Sequence, residues 1–300
     1  MATQTITVRV PATTANLGPG FDCLGMALDL WNEVTLQVGK ETNVDVTGEG
    51  EESLARDESN LVVRAARRAY QEAGVAAPPF QVVCRNDVPL ARGLGSSAAA
   101  AVSGLVAANA LGSLGLTEGR LLDLAAEIEG HPDNVAPALL GGFRIVYQEG
   151  EETRTASVPF ADDLYAVLFI PDMEMATAEA RAILPQMITR KDAVFNMARV
   201  GLLVHAIESG ELELLKHATQ DLLHQPQRQQ VFRPMKYIFR GAMAGGAMGV
   251  FLSGGGPTIL AITRGRRLTI GYEMADAAYK LGCDGRVKIV KPVYQGAYVV

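Results

Sequence analysis

Apolar and polar residues alternate near the start of the chain, with Ile6, Val8 and Val10 pointing one way and Thr5, Thr7 and Arg9 the other. A period of two is typical of a β-strand that buries one face. Residues 34–38 repeat the pattern, whereas residues 164–170 are continuously apolar, which predicts a strand of a different character. Further strands are predicted at residues 80–84, 143–147, 250–252, 258–263, 287–290 and 297–300.

Helical stretches lie between these strands. They are predicted at residues 60–73, 117–130, 192–209, 211–224, 233–244 and 268–281, with an Ala-rich helix after Ser97. Gly74 and Gly210 close two of them, as glycine commonly does after a last helical turn. The mixture predicts an α+β fold. The acidic segment at residues 149–152 suggests two closely packed domains, 1–155 and 156–300, with a site between them.

Charge and cysteine content narrow the functional classes. The net charge is −6 without a basic tail, which argues against nucleic acid as a partner. Three separated cysteines indicate neither a disulfide framework nor a zinc site and fit a reducing cytoplasm. Residues 1–6 lack the pattern of a signal peptide. The most apolar stretch, residues 98–116, is better explained as a packed interior helix than as a membrane span.

The most informative segment is Arg-Gly-Leu-Gly-Ser-Ser at residues 92–97, directly before the Ala-rich helix. Ala is the best helix former and Gly nearly the worst, so the helix should begin near Ser96 and Ser97, where a serine can cap it. Gly93 and Gly95 let the backbone approach a ligand closely. Because a helix N-terminus presents N–H donors and partial positive charge, the segment predicts a phosphate site.

This loop could also be a Walker A loop, a dinucleotide-binding loop or a turn without a ligand. No G-x-x-x-x-G-K-[ST] run occurs, which excludes a Walker A loop. Gly93, Gly95 and Ala98 match a loose dinucleotide pattern, but residues 86–90 before it predict a turn and no acid follows at the required distance. A glycine-rich turn before a packed helix is the simpler alternative for the segment alone.

Two more glycine-rich segments, residues 10–25 and 249–261, stand in fixed order with this loop. The set resembles the superfamily of galactose, homoserine, mevalonate and phosphomevalonate kinases over essentially the whole chain, and most of all its homoserine kinases. The details that select this group are Asn16 and Asp22, HPDNVAP at 131–137, TAEAR at 177–181 and HQPQR at 224–228.

The resemblance implies a two-domain small-molecule kinase fold, with an S5-like N-terminal domain that binds nucleotide and a ferredoxin-like C-terminal domain. It implies ATP-dependent phosphorylation of L-homoserine to O-phospho-L-homoserine, which feeds threonine synthesis, with ATP and Mg²⁺ as cofactors. The expected partners are therefore ATP and L-homoserine, without nucleic acid or membrane, and a homodimer is a possible assembly in the cytoplasm.

The nucleotide and its metal need a set of residues near the loop. Those expected to bind nucleotide are Asn60, Pro89, Leu90, Ala91, Arg92, Gly93, Leu94, Gly95, Ser96, Ser97, Ala98 and Ala99. Mg²⁺ takes few protein ligands, and the resemblance implies Ser97 and Glu127 for this role. Glu127 shares a helix face with Asp123, four residues earlier, whereas Glu129 points elsewhere. Asp123 and Glu129 stay open as alternatives, and all three could be solvated surface acids.

An amino-acid substrate needs partners for its ammonium and its carboxylate. Asp22 can hold the ammonium, and Asn16 can hold the ammonium or the hydroxyl. Arginine binds carboxylate in bidentate fashion, which is the role expected for Arg181 and Arg228. The remaining residues expected at the substrate are His131, Asn134 and Gly254.

Asn134 stands where relatives such as mevalonate kinase carry an aspartate general base. An amide cannot accept a proton at neutral pH, so the resemblance implies that the substrate hydroxyl loses its proton late, to a phosphate oxygen. Ser97, Glu127 and Asn134 are the expected catalytic residues.

Two other functions stay open at this point. A kinase of another small alcohol, such as mevalonate, could use the same fold, although mevalonate has no amine for Asp22 to bind. A nucleotide-binding module without turnover is the second, although it would not need the metal ligands.

Overall fold

The computed structural model describes residues 4–300, apart from the side chain of Thr177. Residues 1–3, which enter the signal-peptide prediction above, lie outside this range. Along the described chain, no helix combines the length and apolar character that a bilayer crossing requires.

The first half of the chain forms one sheet covered by helices. Its strands are β1 (Thr5–Asn16), β2 (Gly20–Val38), β3 (Asn43–Gly48), β4 (Phe80–Asn86), β5 (Phe143–Glu149) and β6 (Glu152–Val158). Its helices are α1 (Leu61–Glu72), α2 (Ser96–Leu111), α3 (Glu118–Glu129) and α4 (Pro132–Leu140). The long antiparallel pair of β1 and β2 is the centre of the sheet, with β4 and β3 on one side and β5 and β6 beside the far end of β2.

The second half forms a smaller sheet. Its strands are β7 (Tyr165–Pro171), β8 (Gly249–Leu252), β9 (Ile259–Thr263) and β10 (Gly285–Val290), in the order β10-β7-β9-β8. Its helices are α5 (Thr177–Ala182), α6 (Arg190–Ser209), α7 (Leu215–Ala218), α8 (Gln225–Val231), α9 (Met235–Gly245) and α10 (Arg267–Tyr279). A final strand, β11 (Tyr298–Val299), returns to the first sheet beside β1.

The position of β7 explains its unbroken apolar sequence. Val167 and Phe169 pack with Ile238 and Ile270 of α9 and α10 on one face of the sheet. On the other face, alternate residues of β7 pack against α6 and against Leu24 and Leu28 of the first domain. Both faces of β7 are therefore buried, so alternation with polar residues is lost.

The Ala-rich helix α2 lies at the centre of the first domain. Its small side chains let α1 approach so closely that a Cβ on Gly104 would lie 2.3 Å from the Val62 carbonyl oxygen. Ten of its residues are buried, which explains its largely apolar sequence.

Most predicted elements and the α+β class are confirmed, but several details differ. Residues 211–224 form a 3₁₀ turn and the short α7 rather than one helix, because the Asp221 carboxylate accepts the N–H groups that begin α8. Residues 132–140 form α4, which was not predicted, and Pro132 suits its first helical turn. Helices α5 and α8 and strands β3 and β6 were also not predicted. The expected domain boundary after residue 155 falls inside β6, so the first sheet continues to Val158.

Candidate functional site

The three glycine-rich segments meet at a cavity of about 250 Å³ between the two sheets. Ser253 Oγ donates to the Gly93 carbonyl oxygen at 2.6 Å, and the Gly254 N–H donates to the Ala15 carbonyl oxygen at 3.0 Å. A Cβ on Gly93 would lie 2.2 Å from the Ser253 carbonyl oxygen, so glycine is required for this approach. The expected site residues that line the cavity are Asn16, Asp22, Ala91, Gly93, Leu94, Gly95, Ser96, Ser97, His131, Asn134, Arg181, Arg228 and Gly254.

The phosphate loop ends at Gly95, which is the N-cap of α2 in a left-handed conformation with φ of 69°. The prediction that a serine caps this helix is wrong, because Ser96 and Ser97 already lie in its first turn and no side chain caps it. The first backbone N–H groups of a helix have no intrahelical acceptor. Left without a side-chain cap and facing the cavity, this turn is suited to bind an anion.

The acidic partner of Ser97 is Glu129. Ser97 Oγ donates to Glu129 Oε2 at 2.7 Å, and both residues line the cavity. Burial raises the pKa of the Glu129 carboxyl, and the hydrogen bond from Ser97 opposes that rise. Two oxygen ligands at the edge of an anion-binding turn suit a metal that keeps most of its water and phosphate ligands. No larger group of three or more histidine, cysteine or acidic side chains gathers as a metal site within residues 4–300.

Glu127 does not face the cavity. Its carboxylate accepts from Arg68 Nη2 at 2.9 Å and lies 3.6 Å from Arg120 Nη1. Arg120 also lies 3.7 Å from Asp123, so Asp123 and Glu127 share a face of α3 as predicted. That face points to α1, whereas Glu129, two residues further along the helix, points to Ser97. The expected pairing of Ser97 with Glu127 is therefore not formed, and Glu129 is the acid beside Ser97.

A second cavity of about 250 Å³ lies beside the first and shares Ala91, Ser96 and Ser97 with it. Asn60 and Leu90 line it together with apolar side chains. Asn60 uses its amide to cap α1, accepting from the Val62 N–H and donating to the Ala55 carbonyl oxygen.

Four residues expected at the nucleotide lie outside both cavities: Pro89, Arg92, Ala98 and Ala99. Arg92 donates to the carbonyl oxygens of Pro171 and Asp172 in the second domain, and Ala98 and Ala99 are buried in the core. Arg92, Ala98 and Ala99 support the loop in this structure, and the nucleotide contacts expected of these four residues stay a prediction.

Asp22 and Arg181 pair with each other across the site. Arg181 Nη1 and Nη2 donate to Asp22 Oδ2 and Oδ1 at 2.9 and 2.5 Å, and this pairing raises the pKa of Arg181. Asp22 has a positive φ of 58° and is held by Asn16, whose Oδ1 accepts the Asp22 N–H and whose Nδ2 donates to the Gly254 carbonyl oxygen. Asp22 and Arg181, which were expected to bind the ammonium and the carboxylate of a substrate, therefore form an ion pair with each other in this structure.

Arg228 is the second guanidinium at the cavity and is only 2 % exposed. Its Nε donates to the Ala180 carbonyl oxygen at 3.2 Å and its Nη1 to the Gly254 carbonyl oxygen at 2.9 Å. Burial lowers the pKa of Arg228 to about 10. Gly254 thus contributes its carbonyl oxygen to hold Asn16 and Arg228, and its N–H donates to Ala15.

The start of α4 brings His131, Asp133 and Asn134 to the cavity. His131 Nδ1 lies 3.1 Å from Asp133 Oδ1, and this hydrogen bond raises the pKa of His131. Thr13 Oγ1 donates to Asn134 Oδ1 at 2.9 Å, which fixes the amide. His131 is the N-cap residue of α4, whereas Gly130 ends α3.

Sequence reasoning missed Phe21 and Asp133 at the site and kept Glu129 only as an alternative to Glu127. The Phe21 ring centroid lies 5.4 and 5.8 Å from the guanidinium carbons of Arg181 and Arg228, within the range of cation–π attraction. Phe21 and Asp133 stood inside the quoted motifs, next to Asp22 and Asn134, and this adjacency was the available signal.

Comparisons with known proteins agree with this arrangement. The family model described as the GHMP kinases N terminal domain matches residues 60–142, and the one described as GHMP kinases C terminal matches residues 203–280. The homoserine kinase of Moorella thermoacetica is 43% identical over 295 residues, covering 98% of this chain and 99% of that protein. The homoserine kinase of Nostoc punctiforme is 46% identical over 259 residues, covering 86% and 85%.

Solved structures give the same result. The crystal structure of homoserine kinase from Cytophaga hutchinsonii superimposes with a TM-score of 0.89 at 31% identity, covering 100% of this chain and 98% of that one. The L. major mevalonate kinase has a TM-score of 0.73 at 15% identity, covering 97% of each chain, which shows a shared fold alone.

The fold and the site define a GHMP kinase, a two-domain small-molecule kinase, and the predicted fold class with its S5-like and ferredoxin-like domains is confirmed. Within this class, the chain belongs to the homoserine kinase family.

Proposed function

We propose that this protein transfers the γ-phosphoryl group of ATP to the side-chain hydroxyl of L-homoserine, giving O-phospho-L-homoserine for threonine synthesis. The observation that carries the proposal is the juxtaposition of Asp22, Arg181 and Arg228 in the cavity that the α2 N-terminus also lines. One carboxylate and two guanidinium groups suit the ammonium and carboxylate of an amino acid. The uncapped turn opposite suits the phosphates of ATP.

The nucleotide is proposed to place its phosphates at Gly93–Ser97 and its base in the second, more apolar cavity near Asn60 and Leu90. Ser97 and Glu129 would hold Mg²⁺, which neutralises phosphate charge when it is bound. Their two oxygens lie 2.7 Å apart at the edge of the turn, and this geometry is the reason that the pair fits a metal.

In the proposed reaction, the homoserine hydroxyl oxygen forms a bond to the γ-phosphorus while the bond from that phosphorus to its bridging oxygen breaks, and ADP leaves. Phosphoryl transfer needs mainly positioning and charge neutralisation. Asn134, fixed by Thr13, orients the reacting groups and does not remove the proton, because an amide is not a base at neutral pH. The hydroxyl proton passes to an oxygen of the transferred phosphoryl group.

The test is an ADP-release assay with a panel of acceptors: L-homoserine, L-serine, mevalonate, galactose and no acceptor. The proposal expects release that depends on homoserine, with a phosphorylated product detected by mass spectrometry. Preference for mevalonate would indicate a kinase of another small alcohol instead. Nucleotide binding without acceptor-dependent release of ADP would indicate a nucleotide-binding module without turnover.

The homodimer and the cytoplasmic location also stay proposals. Light scattering of the purified protein tests the first, and fractionation of the source cells tests the second.

A further inference from the structure

Two buried titratable residues beside the site have no part in the proposed reaction. His224 is fully buried, Asp221 is 7 % exposed, and neither lines the cavity. Asp221 accepts the N–H groups of Leu223, His224 and Gln225. It also accepts from Asn196 Nδ2 at 2.7 Å, so Asp221 fixes both the start of α8 and the position of His224 on it.

The two ring nitrogens of His224 have partners of opposite type. Nε2 lies 2.7 Å from the Gly18 carbonyl oxygen, which can only accept, so Nε2 carries the proton. Nδ1 lies 2.8 Å from Arg228 Nη1, which can only donate, so Nδ1 offers its lone pair. Burial lowers the pKa of His224, which favours the neutral ring that this geometry requires.

This bond decides which part of Arg228 faces the cavity. A guanidinium has five N–H donors. The Nε donor goes to Ala180, and the two Nη1 donors go to Gly254 and His224. Among the described residues, none accepts from Nη2, and Arg228 lines the cavity. The two Nη2 donors are therefore left for a ligand, and they are oriented because the other three are held.

We propose that His224 is a positioning residue for substrate: its neutral imidazole accepts from Arg228 Nη1 and so directs Nη2 toward the carboxylate of the amino acid. The inference rests on the proposed function for the identity of that carboxylate. Without the acceptor at Nδ1, Nη1 gains an unsatisfied donor and the guanidinium keeps only its bonds to Ala180 and Gly254, so Nη2 is oriented less firmly toward the carboxylate.

Two substitutions of His224 each keep one of the two hydrogen bonds of its ring and remove the other. His224→Gln can still reach the Gly18 carbonyl oxygen but removes the acceptor at the Nδ1 position. His224→Asn places an amide oxygen near the Nδ1 position but cannot reach Gly18. The two variants therefore separate the bond to Arg228 from the bond to the β1–β2 segment.

We expect His224→Gln to raise the KM for homoserine by roughly tenfold to a hundredfold, the effect of losing an oriented charge-assisted bond. The KM for ATP should not change. His224→Asn should restore most of the affinity for homoserine. Turnover of 3-aminopropan-1-ol, which is homoserine without its carboxylate, should be equal in the wild type and both variants. Equal losses in the two variants, a parallel rise in both KM values, or the same loss with the amino alcohol would each overturn the inference.

A measurement on the unmodified protein covers the case in which a variant does not fold. The chain has four histidines, so the ring nitrogens of a ¹⁵N-histidine sample can be assigned by comparison with single variants of the other three. We expect the Nε2–H tautomer for His224 at neutral pH. A protonated ring or the Nδ1–H tautomer would overturn the inference. If the wild type fails to use homoserine, the proposed function fails, and the tautomer measurement still reports separately on the bond to Arg228.

Discussion

Glu127 and Glu129 lie two residues apart on α3, and their carboxylates have different surroundings. Glu127 is about half exposed and pairs with Arg68 and Arg120, whereas Glu129 accepts from Ser97 at the cavity. The pair gives a matched test of the proposed metal site within one helix.

Glu129→Gln should lower kcat by about a hundredfold or more while nucleotide still binds, because a metal ion contributes several kcal/mol of charge stabilisation in the transition state. Glu127→Gln should leave kcat unchanged and lower the stability by about 0–1 kcal/mol, the usual contribution of exposed ion pairs. Steady-state kinetics at saturating Mg²⁺ and thermal melting measure both. Loss of turnover in the Glu127 variant alone would indicate that Glu127, and not Glu129, binds the metal.

Asp22→Asn should change the affinities for two acceptors in opposite directions. Homoserine should bind roughly tenfold to a hundredfold more weakly, because its ammonium loses a charged partner. The analogue without an amine, 4-hydroxybutyrate, should bind more tightly, because Arg181 no longer has Asp22 as a competing partner. Inhibition and KM measurements with both compounds test this. Weaker binding of both, together with a higher KM for ATP, would indicate instead that the loop has lost its conformation.

At the scale of residues, the sequence located the site better than it assigned the contacts. Asp22, Arg181 and Arg228 were predicted to bind substrate, and all three reach the cavity. Their mutual pairing could not be predicted, because it depends on how α5 of the second domain packs against the β1–β2 segment. The choice between Glu127 and Glu129 depends in the same way on the rotation of α3 about its axis, which periodicity does not give.

Among the elements, the turn from the phosphate loop into α2 imposes the strictest requirement. Gly95 has a positive φ, and a Cβ there would lie 1.9 Å from Thr13 Oγ1. Thr13 in turn donates to Asn134, so the start of α2, strand β1 and the start of α4 meet at this point. Gly115 has a similar φ of 72° but no atom within 4 Å of the corresponding Cβ position.

Gly95→Ala should raise the KM for ATP and destabilise the protein, whereas Gly115→Ala should only destabilise it. A left-handed alanine costs about 1–2 kcal/mol at either position. The clash with Thr13 adds to this at Gly95 and displaces the N–H groups of the anion-binding turn. Thermal melting and ATP kinetics on both variants separate the two effects, and an equal KM for ATP in the two variants would contradict the proposed phosphate position.

The elements that the sequence predicted well carry a strong local signal, such as the run of alanines in α2 or the alternation at the start of β1. Two of the differences depend on particular capping groups. The break before α8 follows from the Asp221 carboxylate, and α4 follows from Pro132 in its first turn. Strand β3 alternates apolar and polar residues, Val44 and Val46 being buried, and this short signal was overlooked.

In the molecule as a whole, residues 291–300 belong to the first domain although they follow the second. The Val293 N–H donates to the Ala27 carbonyl oxygen, and β11 pairs with β1. Tyr294 stacks on Phe160 with ring centroids 4.1 Å apart. Its hydroxyl accepts the Phe160 N–H at 2.7 Å and donates to the Phe160 carbonyl oxygen at 2.6 Å.

Tyr294→Phe should keep the ring stack and remove both hydrogen bonds to the connection between the domains. We expect a loss of about 1–3 kcal/mol, the sum of two ordinary buried bonds. The melting temperature should fall by several degrees, with kinetic constants unchanged because Tyr294 does not line the cavity. Tyr147→Phe, at a residue 51 % exposed on β5, is the control and should melt as the wild type does. Equal melting of the two variants would mean that these bonds do not hold the domains.

The return of β11 to β1 also fixes the order of events during synthesis. The first sheet can form once residue 158 has been made, but the outer edge of β1 at Val8 and Arg9 has no strand partner until residues 298–299 follow. At about 5–20 residues per second, the intervening stretch takes roughly 7 to 30 seconds. For that time the nascent chain exposes an unpaired strand edge, the kind of surface that pairs with other chains. Chaperones that cover such edges should therefore matter more for this protein during translation than during refolding of residues 1–300.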